Sequence, residues 1–530
     1  MSNDVPVRRG ISEVEAARPA PPRTRGRARW YAAGLAGLTA FSGVSGLAGA
    51  NGLKHGSNSL LNLSSAATQV LAADRVDGDP NGNGVQDVGS GQQGSRGNEQ
   101  LVPCNADRLI AAIVRANASG GASLRLTARC VYTLTAAQGP DGLPVITQPI
   151  SLDGQGATIA RAAGAANFRI LNVGVGGNLT VEDLTVAGGF APNSAGGGGI
   201  LVQSGGQATL RNATVAGNQS TSVGGGIANY GITTILGQDD GSGTGTWGNS
   251  GAPNKASGNG PTQAPPGGQS GGSATNSDAG QAISKVDNNS TTDSGGGIFN
   301  DGRLSADNVE ISYNHSGGFG GGLTDIGNAV LKRARIDHNT AAAGDVLGAS
   351  GGGIASGSGV TKLEDSSVSD NTAARDGGGI ACEAATISLQ NTKVDRNTAT
   401  GDGGGIDTEP SPLIGGGSCI AVIEDSEVSG NTASGSGGGI SNRVSSLVLR
   451  RSRVSLNRAI GTASQAGGIV NGNGAVTLTA TQVTGNSSTV APGGLATNRD
   501  AVTVDQKSAI VGNRPTNCAG STVTVPNCFG

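Results

Sequence analysis

The side chains able to do chemistry are few, and most of them sit in turns. Asp337 and His338, Asp370, and Asp395 with Arg396 fall in three successive stretches, each between an aliphatic residue and an Asn. Several acids beside a guanidinium or an imidazole are what a polysaccharide lyase requires. The carboxylates hold Ca²⁺ against the acid group of the substrate, and a base removes a proton. These five residues are the candidate catalytic set. Ordinary turn polarity competes with that reading and is preferred, because the next two repeats put Ser429-Gly430 and Ser455-Leu456 at the same place.

Two further groups could take a cation. Asp376 and Asp402 occupy equivalent places before a Gly-Gly-Gly-Ile block, so they should stand about one strand spacing apart, roughly 4.8 Å. Bound Ca²⁺ would relieve their repulsion, as would exposure to water, which is the preferred reading. The stretch from Asp77 to Asp87 places oxygens at Asp77, Asp79, Asn81 and Asn83 in the alternating manner of a Ca²⁺ loop, but Val88 stands where the closing Glu belongs. A flexible acidic linker fits it better. With three His and no Cys-x-x-Cys, a zinc site is not expected, and no Gly-x-Ser-x-Gly elbow or phosphate loop is present. No cofactor is expected, Ca²⁺ being the alternative.

The elements that must position these groups are repeats. Gly-Gly followed by Ile or Leu ends at Ile200, Ile227, Ile298, Leu323, Ile354, Ile380, Ile406, Ile440, Ile469 and Leu495, 25 to 34 residues apart except for one gap of 71. Alternating with these blocks, an aliphatic residue is followed three positions later by Asn218, Asn289, Asn314, Asn339, Asn371, Asn397, Asn431, Asn457, Asn486 and Asn513. Each unit also holds a short alternating stretch such as Ile387-Ser388-Leu389, the signature of a half-buried strand. Such a unit cannot bury an apolar face alone and must stack on its neighbours. The pattern predicts an all-β, right-handed parallel β-helix of about twelve coils. Triple Gly suits a corner where backbones approach closely, and the Asn residues suit a repeated turn because they tolerate left-handed backbone angles and their amides can bond from coil to coil. Its 95 glycines and 2% aromatics fit this architecture and no ordinary globular one.

Alignment of the coils then assigns the charges. One column reads Lys332, Glu364, Gln390, Glu424, Arg450, the next Arg333, Asp365, Asn391, Asp425, Arg451, and a third Arg335, Ser367, Lys393, Glu427, Arg453. Opposite charges or amides are neighbours along the stack, which predicts a structural ladder rather than a catalytic groove. A net charge of −3 also argues against nucleic acid as a partner.

The ends carry export and closure signals. Seven arginines from Arg8 to Arg29 precede an uncharged stretch ending Ala48-Gly49-Ala50, so 1–50 reads as a signal peptide cleaved after Ala50, or else as an uncleaved membrane anchor. Either places the rest outside the cell, secreted or at the surface. Residues 51–100 read as a disordered linker, 101–195 as an N-terminal cap with the first coils, and 196–515 as the repeats, with a disordered Gly/Ser/Pro-rich insertion at 232–282. Residues 516–530 read as a C-terminal disulfide cap. A helix over 105–118, with Asn105 as N-cap and Leu109, Ile110, Ile113 and Val114 on its apolar side, would plug the first coil. Six cysteines permit fifteen pairings, and the local ones are Cys104 with Cys130, Cys382 with Cys419, and Cys518 with Cys528.

The paired motifs Gly-Gly-Gly-Ile and Val-x-x-Asn resemble the repeats of chlamydial polymorphic outer membrane proteins. The likeness is closer to secreted bacterial β-helix repeat proteins, the actinobacterial ones among them, whose entry segment is similar to Leu109–Asn117, Cys130–Leu134, Gly142–Ile146 and Leu152–Thr158. The resemblance covers about residues 100–515 and implies the pectin lyase-like β-helix fold. Such repeats serve adhesins, surface proteins and polysaccharide-degrading enzymes alike, so a shared fold does not choose among them. The expectation is an exported, monomeric, non-enzymatic scaffold presenting a rigid surface to glycan, cell wall or protein. A polysaccharide lyase or hydrolase is the alternative.

Overall fold

In the computed structural model, residues 99–238, 283–342, 349–409 and 417–530 are described. The export segment, the Asp77–Asp87 stretch and most of the predicted insertion lie outside them. The described chain is a parallel β-solenoid. One coil shows the plan: β1 is Ile380–Glu383, β2 is Thr386–Gln390, β3 is Lys393–Asp395 and β4 is Thr398–Ala399. Each strand pairs in parallel with its equivalent in the next coil, Ile380 with Ile406, Thr386 with Ile420, Lys393 with Glu427 and Thr398 with Thr432. Repeated along the chain, β1-type strands form an 11-stranded sheet and β4-type strands a 10-stranded sheet. The β2 and β3 types share a 25-stranded sheet. The β3 stack, from Val131–Leu134 to Ala509–Val511, is 13 strands deep, close to the expected number of coils.

Sequence alternation becomes an inside and an outside. In this coil Ile380, Cys382, Ile387, Leu389, Val394 and Ala399 are buried, and equivalent residues above and below continue each column. Burying each large aliphatic side chain contributes on the order of 1.5–3 kcal/mol, available only when a next coil covers it.

The two signatures turn out to be one packing unit. From Asn289 onward each ladder Asn accepts at Oδ1 from the backbone and side-chain amides of the Asn before it, as Asn397 does from Asn371 at 3.0 Å each, while Asn218 Oδ1 accepts from the Gly189 N–H. Asn397 Nδ2 donates to Asn431 Oδ1 and to the Val368 carbonyl. The chain of amides runs from Asn218 to Asn513 and closes on Asn517, whose Oδ1 takes both amides of Asn513. The Gly block makes room for it. Gly377 has φ +64°, and a Cβ on Gly379 would stand 2.8 Å from Asn397 Nδ2.

Several expectations need correction. The left-handed residue of the turn is the one before the ladder Asn, as at His338, Asp370 and Arg396 with φ of 54–55°, because the Asn must turn its amide inward to the next rung. Ile232–Leu236, assigned to the insertion, form a strand paired with Gln207–Arg211 and Arg303–Asp307. Gln100, at the linker's end, begins the strand Gln100–Val102. The helix, α1, spans Ala106–Ala118, and Asn105 Oδ1 accepts from Arg108 N at 3.0 Å. It buries Leu109, Ala112, Ile113 and Ala116, whereas Val114 is exposed. Asn117 fastens α1 to the Val145 carbonyl and the Thr147 amide.

The disulfides join Cys104 to Cys130, Cys382 to Cys419 and Cys518 to Cys528. These bridges fit an oxidising environment. No helix among the described residues is long and apolar enough to cross a membrane.

Candidate functional site

The five lyase-like residues lie in three successive coils at the C-terminal ends of the β3-type strands, where Arg396 pairs with Asp370 and Asp395 while Asp337 Oδ1 is buried without a hydrogen-bond partner among the described residues. Asp337 and Asp395 share a column with Ser369 between them. Arg396 grips Asp370 with two hydrogen bonds, at 3.0 and 2.8 Å, and also contacts Asp395. His338 stands 3.6 Å from Asp337 and stacks on Tyr313 with ring centroids 4.8 Å apart. Partial burial raises Asp337 and Asp395 from their ordinary value, and the bond to Asp370 raises Arg396.

The predicted charge columns lie in register, and among the described residues ion pairs form within the first two of them but not within the third, from Arg335 to Arg453. Lys332 meets Glu364 at 2.9 Å, Arg450 meets Glu424 at 2.6 Å, and Arg451 grips Asp425. Asn391 bridges to Asp365 at 2.6 Å. Hydrogen bonds from Lys362 and Lys332 hold Glu364 below its ordinary range, and the bond from Arg451 does the same for Asp425.

A second charge cluster lies on the outer side of the β1-type sheet, where three coils meet. Asp407 and Glu409 are two residues apart on one strand and so project to the same side. Ala381, Asp407 and Ser441 form one column, and Glu383 and Glu409 align with Arg443 close by. Asp376 and Asp402 come from the Gly-block turns that fold over this side. Arg443 Nη2 stands 3.1 Å from Asp376, 3.0 Å from Asp407 and 3.2 Å from Glu409, and Nη1 stands 3.6 Å from Asp402. Arg375 adds a contact to Asp376 at 3.0 Å and to Glu409 at 3.6 Å.

Asp376 and Asp402 are therefore not a water-screened pair. Asp376 is buried, its Oδ1 accepts the backbone N–H of Asp402 at 2.7 Å, and Asp402 accepts that of Ser436. Carboxylate oxygens of Asp376, Asp407 and Glu409 lie within 4.8 Å of one another, as metal ligands would, but the guanidinium of Arg443 sits among them as the cation. Burial pushes Asp407 well above the ordinary carboxylate range despite Arg443. Arg443 itself is raised, since its carboxylate neighbours outweigh the effect of burial.

Asp407, Glu409, Arg375 and Arg443 were missed because the coil alignment stopped short of the strand after Gly-Gly-Gly-Ile. Extending it would have shown Asp407 and Ser441 in a column otherwise held by residues such as Ala355 and Ala381.

No protein family matches the chain, and no curated protein does. Among solved structures, the A-module of the Azotobacter vinelandii mannuronan C-5 epimerase AlgE6 is similar, at 14% identity and a TM-score of 0.37, covering 78% of this chain and 96% of that one.

Proposed function

We propose that the protein is an exported, non-enzymatic β-solenoid scaffold whose faces bind glycan, cell wall or a protein partner. The observation that carries this reading is the state of its charges. In two of the exposed columns opposite charges pair from coil to coil, and the convergent carboxylates are bonded to Arg443, Arg375 or backbone amides rather than left open to a substrate. A catalytic groove instead needs a few acids and a base free to meet the reacting atoms. Self-paired charges suit a surface that keeps its shape while something else adheres to it. The three disulfides support placement outside the cell.

A second reading, a carbohydrate-active enzyme, is supported by one feature. Asp407 is held toward its protonated form beside Asp376 and Glu409, an arrangement in which its carboxyl could give a proton to a reacting group. The first reading is tested by co-sedimentation of the purified protein with insoluble cell-wall material and by retention on immobilised acidic and neutral polysaccharides. Saturable retention of the folded protein is expected, and absence of retention on every matrix would count against it.

A further inference from the structure

We infer that a trough at the corner between the β1-type and β2-type strands of the last coils is a subsite for an acidic sugar. This rests on the scaffold reading above and gives it a location and a ligand class. The trough has a volume of about 360 Å³, within the usual range for small-molecule sites. Its floor is one column of outward positions, Ile420, Ser446, Ala475 and Ala501, in four consecutive coils. Its wall is the column two residues earlier, where Val444, Asn473 and Arg499 follow one another. Three strand spacings make it about 14 Å long, enough for a short oligosaccharide lying along the solenoid.

Three features make this corner different from the charge ladders. Ile420 and Val444 are each 48% exposed, so the trough offers apolar surface to the face of a sugar ring. Val444 holds φ +56°, a conformation that a β-branched residue rarely adopts and that turns the chain at the edge of the trough. Arg499 supplies the charge. Among the described residues its guanidinium makes one hydrogen bond, from Nη1 to the Asn473 carbonyl at 3.2 Å, unlike Arg396, Arg450 and Arg451, which grip carboxylates. Its backbone is fixed from both sides by Thr497 Oγ1, which accepts from Arg499 N and donates to its carbonyl. Asp500, next in sequence, does not line the trough.

An anchored guanidinium with donors to spare, at the end of a partly apolar trough, matches the carboxylate of a uronic acid, which it can bind through two parallel hydrogen bonds. Serine and asparagine on the floor and wall supply partners for hydroxyl groups.

The test is titration calorimetry of the full chain with uronic-acid oligosaccharides and with neutral oligosaccharides of the same length. Arg499→Gln and Ala475→Glu are compared with Arg450→Gln, which alters only an exposed ladder. The inference expects binding of the acidic oligosaccharide that weakens with salt, and a dissociation constant raised roughly tenfold or more in the first two variants. Arg450→Gln should bind as the unaltered protein does. Unchanged affinity in Arg499→Gln and Ala475→Glu, with retained cell-wall or glycan binding, would overturn the subsite and leave the scaffold reading standing. Failure of the unaltered protein to bind any glycan or wall material would overturn both. Circular dichroism of each variant guards against loss of folding as the cause.

Discussion

Replacing Arg443 by Met removes the cation that Asp376, Asp402, Asp407 and Glu409 share, and the consequence can be worked through. The guanidinium is two-thirds buried and stands within 3.2 Å of three carboxylates. Taking away one partner of such a cluster leaves uncompensated charge in a poorly solvated place, which costs about 3–5 kcal/mol. Arg375 stays in contact with Asp376 and Glu409, so the lower end of that range is expected. The loss must depend on pH. Asp407 is already raised in the folded protein, and without Arg443 it rises further, so the folded variant takes up a proton that the unfolded chain releases. Destabilisation is therefore smallest in acid, where the carboxyls are protonated, and grows as pH rises through the carboxylate range. Hydrogen exchange of Ile406–Glu409 and Ile440–Arg443 at pH 5 and pH 8 reads it locally, which matters because a solenoid need not unfold as one unit. Adding Asp407→Asn should recover much of the loss. Equal destabilisation at both pH values, or no recovery in the double variant, would refute the idea that Arg443 serves as an internal counter-ion.

Other consequences follow from the ladders. Asp325 is fully enclosed, and burial pushes it from 3.8 up to about 6 even though Asn300 and Thr361 donate to it. The folded state thus keeps a proton that the unfolded state gives up, and stability falls as pH rises from about 3.8 to about 6. Asp325→Asn should be more stable at pH 8 by up to about 3 kcal/mol, at roughly 1.4 kcal/mol per unit, with no gain at pH 3. Urea midpoints across that range check it. Asn397→Ala removes one rung and strands amides of its neighbours, costing about 1–3 kcal/mol per unsatisfied group, measured as a lower melting temperature. Gly379→Ala should destabilise more than Gly217→Ala, since the first Cβ meets Asn397 Nδ2 at 2.8 Å while the second, at φ +62°, meets nothing within 4 Å. Paired urea titrations of the two variants would decide that ranking.

Most of the solenoid could be read from the sequence because each coil must solve the same packing problem with nearly the same residues. Gly379 is glycine because Asn397 lies against it, so the two motifs repeat together. Where a coil departs from the pattern, reading failed. Ile232–Leu236 lead straight into a Gly/Ser-rich stretch and were given to it, although they pair with strands on both sides. Val114 seemed part of an apolar helix face, yet only one side of α1 meets the first strands. The charge columns were legible since in-register stacking makes sequence offset equal to spatial neighbourhood. The Arg443 cluster was not, because it draws on turns and strands from three coils, a relation between columns rather than within one.

The central claim is that the convergent carboxylates hold the solenoid together rather than act on a substrate. Its most direct test is prolonged incubation of the purified protein, with and without Ca²⁺, with acidic and neutral polysaccharides, recording unsaturated-product absorbance and new reducing ends. The account predicts no product above the buffer control, alongside a clear loss of stability in Arg443→Met. Product formed by the unaltered protein and abolished in a folded Asp407→Asn or Asp370→Ala variant would contradict it and make the solenoid an enzyme.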